Sequence, residues 1–72
     1  MIDTTGRHPS VAAIVKHFHQ GEHLRSDLAE IAALFHGVVV ELLSLIEHDD
    51  PELSAALRKL LEAKDAAVRA AL

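Results

Sequence analysis

Apolar residues fall along this chain at steps of three and four, which stacks them on one helix face, and two turn-forming stretches divide the pattern into three segments. Val11, Ile14, Val15 and Phe18 make the first face. Pro9 suits the opening position of that helix because its missing N–H needs no partner there, so a short helix is predicted over about 9–18. Gln20-Gly21-Glu22 breaks the pattern, and Ser26 or a residue just before it is placed to cap the next helix. That helix is predicted over about 24–47, with Leu28, Ile31, Phe35, Val38, Leu42 and Leu45 forming a heptad-like seam for a partner helix. Val38-Val39-Val40 has β character, but the pattern runs on at both sides of it and the helix is carried through. His48-Asp49-Asp50-Pro51 reads as a turn in which Asp50 caps, Pro51 opens the last helix and Glu52 complements its dipole.

The seam of the last segment, Pro51 to Leu72, is Leu53, Leu57, Leu60, Lys64, Ala67 and Ala71, greasy at one end and small and basic at the other. So short a connection predicts an antiparallel helical hairpin. Pairing about the turn sets Leu57 against Leu42 and Leu60 against Val39, with Lys64 near Phe35 and Ala67 near Ala32. Second stripes remain, Leu34, Val39, Leu43 and Ile46 on the middle helix and Leu61, Val68 and Leu72 on the last, and they cannot share one seam. Either the first helix or another subunit must cover them. The expected fold is therefore all-α: a flexible segment over 1–8, then a single domain over 9–72 made of a short N-terminal helix and a long antiparallel helical hairpin, assembled as a homo-oligomer.

Length agrees with association, since 72 residues bury little apolar surface and the chain has no cysteine to staple itself. Phe18 and Phe35 are its aromatic residues, and leucine with alanine carries the apolar half, a composition that favours helix. The net charge of −4 disfavours polymeric nucleic acid and acidic bilayers, so an anion must be met by locally placed cations. Arg58, Lys59, Lys64 and Arg69 all lie on the last segment. No run approaches the roughly 20 uncharged apolar residues of a membrane span, and MIDTTGRHPS has no apolar stretch resembling a signal peptide, so a cytoplasmic protein is expected, in the host cytoplasm if phage-encoded.

Candidate chemistry is sparse. His17, His19 and His23 lie close enough to suggest a metal site, but the spacing straddles Gly21 and no thiolate supports them; they read as polar loop residues, with no metal or cofactor expected. No nucleophile motif or Gly-rich phosphate loop occurs, and Asp49, Asp50, Glu52, Glu62 and Asp65 look like caps and solvated faces, so no enzyme activity is expected. Lys64 supports two readings. Its stem covers Phe35 with the ammonium in water or paired to Glu30 or Asp65, or it contacts phosphate at the open end of the hairpin with Arg69 or Arg58. His36 could donate to an anion or stack on a base, or be a plain surface residue.

HPSVAAIVKHF, EHL, a long helix and PELSAALRKLLEAKDAAVRAAL in that order resemble the helical-hairpin domain of the Acb2 and Tad1 type, found in phage anti-defence proteins and in small stand-alone versions from actinobacteria and their phages. The likeness runs from His8 to Leu72 and is most specific in Leu57-Arg58-Lys59-Leu60-Leu61-Glu62-Ala63-Lys64-Asp65 with Val68-Arg69-Ala70-Ala71. It implies a non-catalytic sponge that sequesters cyclic di- or trinucleotides, or cyclic ADP-ribose isomers, at sites between protomers of a trimer or hexamer. Lys64, Arg69 and Lys59 match basic positions of the resembling helix, while the tyrosine that Acb2 places ahead of its first helix is absent and Arg7 or His8 holds that region. The candidate ligand contacts are thus Lys64, Arg69, Arg58, Lys59, Arg7, His8 and His36. A structural oligomerisation or partner-binding hairpin without a small ligand is the alternative.

Overall fold

The computed structural model describes residues 2–21 and 24–72, and among them it is all-α: α1 (Pro9–Val15), α2 (Ser26–Leu45) and α3 (Pro51–Ala71). The His8 side chain caps α1 by accepting from the Ser10 N–H, and Pro9 opens it. The regular helix stops earlier than the apolar pattern suggests because His17 and Phe18 donate to Ile14 and Val15, tightening the chain into i→i−3 turns that still bury Phe18. Gly21 has a φ of +80°, and a Cβ there would lie 2.9 Å from the Ala32 Cβ and 3.1 Å from the Ala29 Cα. Only glycine lets the chain turn while pressed on α2.

At the start of α2 the cap differs from the sequence expectation. Arg25 holds the capping position without a side-chain capping bond to the first turn of α2, and Ser26 is already helical. The first-turn acid is Asp27, which accepts from the Leu28 N–H and from the Arg25 guanidinium at 3.0 and 2.9 Å. At α3 the expected cap is present: Asp50 accepts from the Glu52 N–H at 2.8 Å, with Pro51 opening the helix.

One apolar cluster holds the helices together, built from Val11, Val15, Phe18, Val39, Leu43, Leu53 and Leu57. The buried face of α2 is Leu28, Ala32, Val39 and Leu43, so the seam expected through Val38 and Leu45 is rotated by about one residue. Both of those side chains are exposed, Leu45 at 72%. The face of α2 that is buried carries Val39 and Leu43 into the same cluster as Val11, Val15 and Phe18, while α1 itself packs mainly on α3. Leu34, of the second stripe expected on α2, stays 64% exposed, and Val40 is also in solvent. On α3 the predicted seam is buried at Leu53, Leu57 and Lys64. By length and composition alone α2 is apolar enough to cross a membrane, a test that a core helix also passes, and it carries Asp27, Glu30 and Glu41.

Candidate functional site

The segment before α1 is fastened to the α2–α3 connection. Its Thr4–Arg7 turn closes with Arg7 N–H donating to the Thr4 carbonyl, Gly6 supplying a φ of +81°, and Ile2 packs on the core. From that turn the Arg7 guanidinium donates to Asp49 Oδ1 at 2.9 Å and to the Leu43 carbonyl at 2.6 Å, while the His8 N–H donates to the other Asp49 oxygen. The Arg7 hydrogen bond, followed by that from His8, holds the Asp49 carboxyl below the usual carboxylate range.

Beside this ion pair lies a polar groove of about 370 Å³ lined by His8, Ser10, Asp49, Pro51, Ser54 and Arg58. Ser10 and Ser54 bring their hydroxyl oxygens within 3.3 Å, and Ser10 Oγ also lies 2.9 Å from His8 Nδ1. The Asp49 charge is already met by Arg7, whereas Arg58 has no ion pair among the described residues. What the groove offers is therefore the Arg58 guanidinium on α3, able to hold a phosphate oxygen, beside the Ser54 and Ser10 hydroxyls, which are bonded in a chain to His8 Nδ1.

Of the seven candidate contacts, the fold brings together Arg58, His8 and, through Asp49, Arg7. Lys59 and Arg69 are exposed elsewhere on α3. Lys64 sits apart from all of them: it is only 7% exposed, and its ammonium donates to the His17 carbonyl at 2.7 Å and lies 5.5 Å from the centre of the Phe18 ring. The ring beneath it is Phe18, where the hairpin register placed Phe35. In this position the lysine stem bridges α3 to the turns that end α1, and its charge meets a carbonyl the helix leaves unpaired.

His36 stands in a second concavity, described below, with its buried Nε2 lacking a hydrogen-bond partner. Among the described residues no group of three acids, histidines or cysteines is placed to hold a metal; His23, one of the three loop histidines, lies outside the described residues. Sequence reasoning missed Ser10 and Ser54. A serine four residues after an N-cap aspartate gives no signal by itself that it will face a second helix start. No protein-family model matches the chain, and comparisons with curated proteins and with solved structures find no match either.

Proposed function

We propose that this protein is a non-catalytic binding module that sequesters cyclic oligonucleotides, holding a phosphate in the groove at Arg58 and assembling with further copies of itself. The observation that carries the reading is the convergence of Arg58, His8, Ser10 and Ser54 in one groove, with the neighbouring carboxylate neutralised by Arg7. A phosphodiester needs fixed donors, and the Arg58 guanidinium supplies them in a groove where it has no ion pair among the described residues. The likeness of the last helix to cyclic-nucleotide sponges supports the same ligand class.

The finer architecture belongs to this proposal. An antiparallel pairing of α2 and α3 is supported by the Arg25 guanidinium, at the start of α2, reaching the Ala71 carbonyl at the end of α3, with only residues 46–50 between the helices. Association is supported by the outer face of α2, where Leu34, Val38, Val40 and Leu45 stand in solvent. Lys59 and Arg69, exposed on α3, are free to add phosphate contacts from a neighbouring copy. That same apolar face favours a second reading, an oligomerisation module with no small ligand.

Thermal unfolding against a panel of cyclic di- and trinucleotides and cyclic ADP-ribose isomers separates the two, because a ligand that binds only folded protein raises its melting temperature. At least one panel member is expected to raise it, and Arg58→Ala to remove the rise while leaving the unliganded melting temperature near the parent's. Absence of a rise at high micromolar ligand rejects sequestration in favour of the second reading.

A further inference from the structure

A cavity of about 270 Å³ opens between the N-terminal segment, α1, the turns that follow it and α2, and it shares no lining residue with the groove at Arg58. Its apolar lining is Ile2, Ala12, Val15 and the Phe18 ring. Its polar lining is Thr4, Lys16, His19, Gln20 and the His36 imidazole, of which Lys16 carries the fixed positive charge. In a chain of net charge −4, none of the described lining residues is acidic. Lys16 is exposed and has no ion pair among the described residues. His36 Nε2 is buried with no hydrogen-bond partner, a condition that costs free energy until an acceptor or donor reaches it.

We propose that this cavity binds a small aromatic carboxylate. The volume takes a one- or two-ring body, the aliphatic side chains and the Phe18 ring give it an apolar bed, and the carboxylate pairs with Lys16. His36 Nε2 is shielded from solvent, so a carboxylate oxygen supplies the acceptor it lacks only once the imidazole turns into the cavity. The ligand class differs from that at the Arg58 groove in both size and charge, so the two sites stand or fall separately.

The test is ¹⁵N–¹H correlation spectroscopy of the full chain titrated with 2-naphthoate, with 2-naphthamide as the uncharged control. Saturable shifts are expected at Val15, Phe18 and His36, with the carboxylate bound about three- to fivefold more tightly than the amide, the range of a partly exposed ion pair. Lys16→Gln should erase that preference while keeping the amide's affinity, and being exposed it should leave the fold unchanged by circular dichroism. Ala12→Leu, which narrows the cavity, should weaken both. Three outcomes overturn the proposal: no saturable shift at millimolar probe, shifts confined to the outer face of α2 at Leu34 and Leu45, or equal binding of acid and amide in parent and Lys16→Gln alike.

Discussion

Truncating Lys64 to alanine removes a strut from the interior. Three stem methylenes leave the space between α3 and the end of α1, and at about 0.8 kcal/mol per buried methylene that costs about 2 kcal/mol. The charge-assisted bond to the His17 carbonyl goes as well, worth roughly 1.5–3 kcal/mol. Together the loss is about 4 kcal/mol, offset in part because an ammonium no longer has to be kept from water. Small domains hold only about 5–15 kcal/mol in total, so Lys64→Ala is expected to take much of the stability. Lys64→Met keeps the stem volume and removes the bond together with the ammonium's contact with the Phe18 ring, and should cost about half as much. The assay is urea unfolding followed by helical circular dichroism at one fixed protein concentration, which keeps the proposed self-association from shifting the midpoint between variants. If Lys64→Ala stays within about 0.5 kcal/mol of the parent, the strut is wrong and the lysine is a surface group.

Acid should loosen the N-terminal segment. The Asp49 carboxyl is held below its ordinary value by Arg7 and His8, so the stability it contributes is present above about pH 4 and lost as pH falls through the lowered folded value; Asp49→Asn should flatten the acid limb of a pH–stability curve, and an unchanged limb speaks against the pair. Two glycines should respond in opposite directions. Gly21→Ala forces a Cβ against Ala32 at positive φ and should destabilise by at least about 1–2 kcal/mol, whereas Gly37→Ala, inside α2 with nothing within 4 Å, should stabilise the monomer by up to about 1 kcal/mol. Denaturant midpoints of both variants check this, and loss of stability in Gly37→Ala at high but not low protein concentration would place a neighbouring copy against that glycine.

Local signals located the helices well because caps and breakers act over a few residues. Pro9, Asp50, Pro51 and Gly21 mark three boundaries through fixed φ, side-chain acceptors or positive φ, and none of these depends on the rest of the chain. Which face of α2 is buried is a different matter. A heptad count through Leu28, Phe35 and Leu42 assumes one partner helix, whereas the core is one cluster shared with Val11, Val15 and Phe18, and the buried face of α2 is the one through Val39 and Leu43. Lys64 was visible as an interruption in an apolar seam, but its partner is a carbonyl 47 residues earlier, set by how α1 ends. Arg7 likewise finds Asp49 across 42 residues, a pairing that only the packed fold brings about. Spacing placed Arg58, Lys59, Lys64 and Arg69 along one helix, and of these four the fold joined Arg58 to the N-terminal His8 and, through Asp49, to Arg7.

Native mass spectrometry of the protein mixed with a cyclic trinucleotide and a cyclic dinucleotide tests the central claim most directly, since one spectrum reports chain number, ligand number and ligand mass. The account predicts a species of two or more chains that retains at least one of these nucleotides at its unaltered mass, and loses it on Arg58→Ala without losing chains. Bare chains or bare oligomers under the same conditions contradict sequestration, and a ligand released at the mass of its hydrolysis product contradicts a non-catalytic module.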